Sequence, residues 1–245
     1  MRVGSVGIIG YGNFGAFLHV LLKRFAPQIT VRVFTPEKKP DGATFFSMEE
    51  AAVSDVVVLA VPISEFENVL EDVLPHVKET SVIVDVATVK MHTADVLKRL
   101  APHRSYIATH PIFGPESYAK REGNVSGFRV VITDHTLSKD VYKATVSFLR
   151  KTGFAVIEVS ADEHDKRLAQ TLFLTHFIGQ TITEAEFDRT DIDSVSFGFL
   201  MDAVESVKHD KQLFQDVYRY NPHCKATLDR FEKAEANVRR MLDKS

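Results

Sequence analysis

Val6-Gly7-Ile8-Ile9-Gly10-Tyr11-Gly12-Asn13-Phe14-Gly15 decides how the rest of the chain is read. Four residues with the look of a buried strand run into three glycines spaced G-x-G-x-x-G. Phe17, Leu18, Leu21, Leu22 and Phe25 then follow at helical spacing. A strand, a glycine turn and a helix in that order are the context the dinucleotide fingerprint requires. Gly10 permits the tight turn, Gly12 lets backbone approach a pyrophosphate, and Gly15 allows close helix–strand packing. Asn13 and Phe14 complete the loop, whose free N–H groups and helix dipole would face the phosphates.

Outward from this turn, short β-rich runs alternate with helical patterns. Thr30–Phe34, Asp55–Val61, Ser81–Val86, Tyr106–Thr109, Arg129–Thr133 and Ala155–Val159 read as strands, several of them apolar on both faces. Such strands separated by helices predict a parallel sheet covered on both sides. From about residue 161 no strand run remains. Glu163–Phe187 is one long helical stretch, apolar on more than one face between Leu168 and Ile182, and further helices follow. The expected fold class is therefore α/β. Residues 1–160 form a Rossmann-type, doubly wound dinucleotide-binding domain, and 161–245 an all-helical domain. A segment this short covers a helix on several sides most readily with a second copy, so a homodimer through the helical half is expected.

Composition removes other classes. With 30 Lys+Arg against 33 Asp+Glu there is no basic block to hold nucleic acid through its phosphates. One cysteine, Cys224, excludes a disulfide framework and a thiolate-rich metal site. No apolar run reaches the ~18–20 residues of a membrane span. The N-terminus enters a strand-like run with no signal-peptide pattern, so a cytoplasmic location is the default expectation.

Cofactor choice is read at the end of the second strand. A carboxylate there, about 20 residues past the glycines, would bond the ribose 2′-hydroxyl of NAD. Phe34-Thr35-Pro36 has none in that place. Glu37 comes later, followed by Lys38 and Lys39. Thr35 and Lys38 suit a 2′-phosphate, so NADP is expected, with NAD possible; a solvated loop face is the plainer reading of the lysines. Val61-Pro62, Asp85-x-x-Thr88-x-Lys90 and Thr109–Ser117 follow other strands, at the ends where open α/β sheets bind ligands. His110 is the acid–base candidate among them, because a histidine titrates near working pH.

Gly10-Tyr11-Gly12-Asn13-Phe14-Gly15, Asp85-x-x-Thr88-x-Lys90 and Thr109-His110-Pro111-Ile112-Phe113-Gly114-Pro115-Glu116-Ser117 together resemble the prephenate/arogenate dehydrogenases, the plant-type arogenate enzymes most of all. The likeness continues through Glu163-His164-Asp165, Thr175-His176, Tyr220-Asn221-Pro222 and Leu228-Asp229-Arg230-Phe231. It implies NADP-dependent oxidative decarboxylation of arogenate, prephenate or both, with His110 as general base. By the same likeness Thr88 stands where the family usually has Ser against the substrate hydroxyl, Glu116 lies near the pocket mouth and His176 points toward substrate. Lys90 orients the Thr88 loop or is a surface lysine. His164 and His176, 12 residues apart on one helix, differ by about 120° and so do not share a face, which argues against a metal site. Three departures stand out. Tyr118 replaces a usual Gly, and Glu205 falls where many bacterial prephenate enzymes carry an arginine. Consequently the substrate's second carboxylate has only Lys120, Arg121, Arg167 or a partner chain as candidates. Two other readings stay open: a Rossmann reductase of imines or β-hydroxyacids, with Lys166 as base, and a non-catalytic NADP-binding sensor.

Overall fold

The computed structural model describes residues 3–244 and divides into two compact units, Met1–Ala161 and Asp162–Ser245. The first is built on a seven-stranded sheet: β1 Ser5–Ile9, β2 Thr30–Phe34, β3 Val56–Leu59, β4 Val82–Asp85, β5 Ser105–Pro111, β6 Arg129–His135 and β7 Ala155–Glu158. Their order across the sheet is β2-β1-β3-β4-β5-β6-β7. The chain steps one way from β1 to β2 and the other way from β1 to β3. The point where the order reverses is where such sheets open a crevice for ligands. Helices α1 Asn13–Phe25, α2 Met48–Ala52, α3 Phe66–Val73, α4 Lys90–Leu100, α5 Pro115–Lys120 and α6 Lys139–Thr152 connect the strands. Ile8, Val33, Val57 and Leu59 have at most 1% exposure, as expected of strands buried on both faces.

The sheet is not parallel throughout, which corrects the sequence expectation. β5 and β6 pair antiparallel, and β6 and β7 pair parallel to each other. Apolar runs cannot disclose this, because a strand covered on both faces reads the same in either direction. The short helix α5 and the loop after it return the chain to the side from which β5 started.

The second unit is helical: α7 Ala161–Leu168, α8 Leu174–Glu184, α9 Val195–Val207, α10 Lys211–Tyr220 and α11 Cys224–Leu242. A π-helical turn, Ala169–Phe173, joins α7 to α8 without a break in the helical backbone. Leu168, Ala169, Phe173, His176 and Gly179 form the buried face of this run. Gly179 lets α9 approach closely, since a Cβ there would lie 2.4 Å from Val207 Cγ2. Thr171, Thr175, Thr181 and Thr183 each donate their hydroxyl hydrogen to the carbonyl four residues back.

Candidate active site

The site starts at the β1–α1 turn. Gly10 has φ +100°, a left-handed conformation that favours glycine, and its amide donates to the Phe34 carbonyl at 2.9 Å. A Cβ on Gly10 would lie 2.3 Å from the Ala60 carbonyl oxygen, and one on Gly15 would lie 2.2 Å from the Gly10 oxygen. Those two glycines are required by the protein's own packing. Gly12 differs: it is exposed and nothing lies within 4 Å of where its Cβ would be. Gly12 caps α1 without any side-chain hydrogen bond. The first-turn amides beyond it, at Asn13, Phe14 and Gly15, are therefore left to a ligand rather than to a capping side chain. An open cradle at a helix N-terminus fits a dinucleotide pyrophosphate. Val61 and Pro62 follow β3 beside it, where the Ala60 amide donates to the Ile9 carbonyl at 2.8 Å.

At the end of β2, Thr35 is buried and its hydroxyl donates to Glu37 Oε2. That bond holds the Glu37 carboxyl below its ordinary pKa. A carboxylate therefore does stand at this strand end, which corrects the reading that none does. Spacing missed it because Glu37 folds back two residues onto Thr35. Lys38 and Lys39 are exposed.

His110 is 5% exposed and lies within β5, paired with Val131 of β6, rather than beyond the strand. The ladder shifts register between Ala108 and Thr109 just before it. Bulges of this kind re-aim side chains and are common beside active sites. Thr88 is half-buried in the turn between β4 and α4, and Glu116 is exposed in the first turn of α5. β1, β3, β4 and β5 are mutually parallel, so the glycine turn, Val61-Pro62, Thr88 and His110 all stand at the carboxyl edge of the sheet.

Lys90 is not a surface lysine. It is fully buried, with its Nζ 2.5 Å from Asp85 Oδ2 and 2.7 Å from the Thr109 carbonyl oxygen. Thr93, absent from the sequence reading, donates to Asp85 Oδ2 at 2.6 Å. Only the i, i+3 spacing of Lys90 and Thr93 on one helix hinted at its place. Tyr118 does not stand alone over a pocket. Its ring packs 5.2 Å from that of Phe17 on α1, and its hydroxyl accepts from Arg24. That contact ties the segment carrying Glu116 to the helix that starts at the glycine turn. Lys120 and Arg121 are exposed, and Arg121 donates to the Ser126 carbonyl at 3.0 Å.

In the helical unit His176 is buried and its ring lies parallel to that of Phe214, with centroids 6.3 Å apart. Its Nδ1 has no hydrogen-bond partner among the described residues, and burial lowers its pKa. His164 is buried beside Asp165, Nδ1 to Oδ1 at 2.7 Å. Contrary to the straight-helix estimate, His164 and His176 share the buried face. The π turn takes up one extra residue, which cuts the angle between them from about 120° to about 20°. They remain three turns apart along the axis, and no cluster among the described residues could hold a metal. Lys166 and Arg167 are exposed, the latter bonded to Glu163 at 2.6 Å. Glu205 is exposed and paired with Arg189 at 3.1 Å, so a surface ion pair accounts for it.

These features define a dinucleotide-binding domain of the Rossmann type followed by a helical unit. Residues 41–158 match the family model of the prephenate dehydrogenase nucleotide-binding domain, and residues 181–245 match that of the TYRAAT1-like C-terminal domain. The chain belongs to the prephenate/arogenate dehydrogenase family, whose members are oxidoreductases. Two similar relatives are Arogenate dehydrogenase 1, chloroplastic, and Arogenate dehydrogenase 2, chloroplastic, of Arabidopsis thaliana. Each is 27% identical over 97% of this chain. The chain spans 39% of the length of the first and 70% of the second. The fold matches that of prephenate dehydrogenase from A. aeolicus in complex with hydroxyphenyl propionate and NAD+. The TM-score is 0.77 at 18% identity, covering 100% of this chain and 92% of that one.

Proposed function

We propose that the chain catalyses NADP-dependent oxidative decarboxylation of arogenate, prephenate or both, with His110 as general base. The observation that carries the reading is a buried histidine on β5, at the same sheet edge as an open glycine cradle, inside the stretch that matches the family model. NADP, when bound, supplies the nicotinamide carbon that accepts hydride. His110 in its neutral form takes the proton of the ring hydroxyl, so that a carbonyl can form as hydride leaves the same carbon. The ring carboxylate then departs as CO2 and the ring becomes aromatic. Thr88 keeps the donor and acceptor of the family's usual serine and holds the hydroxyl in line with His110. Glu116 is proposed to face the substrate's side chain, and His176, with its unpartnered ring nitrogen, to bind a substrate oxygen.

Thr35 and Lys38 are proposed to hold the 2′-phosphate, for which Glu37 must release the Thr35 hydroxyl. A homodimer through the helical unit is supported by Phe187, Ile192, Val195 and Phe199, all more than 60% exposed. No described helix is long and apolar enough to cross a membrane. A single thiol fits a reducing compartment, and we take the cytoplasm as its location, although the two plant relatives are chloroplastic.

The deciding experiment follows cofactor reduction at 340 nm with both acids and both cofactors. Turnover of either acid is expected, with the higher kcat/KM for NADP. Absence of turnover with NADP bound would favour the sensor reading, and a clear NAD preference would overturn the role given to Thr35 and Lys38. Light scattering at micromolar concentration should show a dimer; a monomer would remove that part.

A further inference from the structure

Lys90 and Asp85 have no solvent exposure, and a buried ion pair is a poor way to hold a fold together. Well-packed apolar residues of the same volume are often as stable or more so, because both charges lose their water. What such a pair supplies and an apolar pair does not is direction. Every bond it makes leads to a segment that carries a candidate catalytic group.

Asp85 closes β4. Its Oδ1 accepts from the Ala87 amide at 2.7 Å, which shapes the turn carrying Thr88. Its Oδ2 accepts from Lys90 at 2.5 Å and from Thr93 at 2.6 Å, which seats the first turn of α4. Lys90 then donates to the carbonyl of Thr109, the residue before His110, and the Thr109 hydroxyl donates back to the Asp85 carbonyl at 2.7 Å. The ladder from β4 to β5 ends at Asp85↔Ala108, and the bulge follows at once. Beyond that bulge these two bonds take over the hold that β4 has on β5.

We propose that Asp85 and Lys90 are positioning residues: their ion pair fixes the Thr109–His110 peptide and the Thr88 turn in one mutual geometry, so that base and hydroxyl meet the same substrate atom. The proposal rests on the oxidative decarboxylation reading. Displacement of a reacting group by about 1 Å can cost 10²-fold in rate, which sets the size of effect to look for.

The test compares Lys90→Met with the double variant Asp85→Asn/Lys90→Met, measuring melting temperature, Kd for NADP, KM and kcat. The single variant strands a buried carboxylate and is expected to melt lower. The double removes both charges and is expected to recover most of the melting temperature, with NADP affinity within about twofold of the parent and kcat still down roughly tenfold or more. Recovery of kcat along with melting temperature would reduce the pair to a structural role and overturn the proposal. Should the double not fold, Asp85→Asn alone keeps the shape and the Ala87 bond; kcat lower at unchanged NADP affinity supports the proposal, and parental kcat overturns it. A parent chain that turns over neither acid would refute the proposed function, not this inference. In that case the imidazole NMR signals of His110, identified by their loss in His110→Asn, still decide. Signals shifted by Asp85→Asn support positioning, and signals identical to the parent's overturn it.

Discussion

Two strand ends at the same sheet edge are built in opposite ways. The β1–α1 turn works by absence: three glycines, no capping side chain, and a first helical turn whose amides face outward. The ends of β4 and β5 work by presence: a fully buried ion pair, two threonine hydroxyls and a histidine joined over 25 residues of chain from 85 to 109 and 110. An anion needs an open backbone surface, and bare glycine supplies that. Proton transfer needs one side chain in one place, and that demands a framework around it.

The contrast can be broken at several points. His110→Asn carries the largest expected effect, a fall in kcat of about 10²–10⁴-fold, the usual range for loss of a general base, with NADP affinity kept. A drop below tenfold in steady-state assays would take His110 out of the role. Next come the glycines, which should separate. Gly10→Ala must place a side chain at positive φ and against the Ala60 carbonyl. It is expected to lose more than about 2 kcal/mol in urea unfolding. Gly12→Ala meets no neighbour and should melt with the parent, yet bind NADP at least about tenfold more weakly, since the added methyl stands where backbone meets phosphate. A Gly12→Ala chain with unchanged NADP titration would mean that the cradle is not a phosphate site.

A smaller effect concerns pH. Burial lowers the pKa of His176 below its value of 6.5 in the unfolded chain. Between those two values the unfolded state holds the extra proton, so stability is full above pH 6.5 and falls as pH drops toward the folded pKa. His19 and His92 are shifted the same way. Thermal melts at pH 7 and pH 5 should show a smaller loss for His176→Gln than for the parent, by at most about 1.4 kcal/mol per pH unit. An equal loss in both would place the acid sensitivity elsewhere. Smallest is Cys224, whose thiol burial pushes up to about 12. A thiol reagent at pH 8 should leave the native chain unmodified and label it in urea, with no effect on turnover.

The first strand end was legible in the sequence because its signal is local: six residues state both the turn and its partner. The second was legible only in part. His110 and Thr88 stood in recognisable runs, but Asp85, Lys90, Thr93 and Thr109 meet through folding and not through spacing, so a buried lysine read as readily as a surface one. Glu37 escaped for a similar reason, since a side chain turning back on Thr35 leaves no trace in residue order. The reversal of β6 was hidden by strands apolar on both faces. In the helical unit the angle between His164 and His176 came out wrong because the arithmetic assumed 3.6 residues per turn throughout, and one π turn changes that count.

That π turn makes the helical unit sensitive to chain length as well as to residue type. Ala169–Phe173 behaves as a spacer in the phase of the helix. Loss of one residue there would leave a continuous helix of ordinary pitch, yet everything beyond it would rotate by about 100°. Gly179 would turn away from Val207, and His176 away from the ring of Phe214. Natural length variation in this family should therefore be absent from this segment, or should come as compensated pairs, an insertion in one turn matched by a deletion in the next.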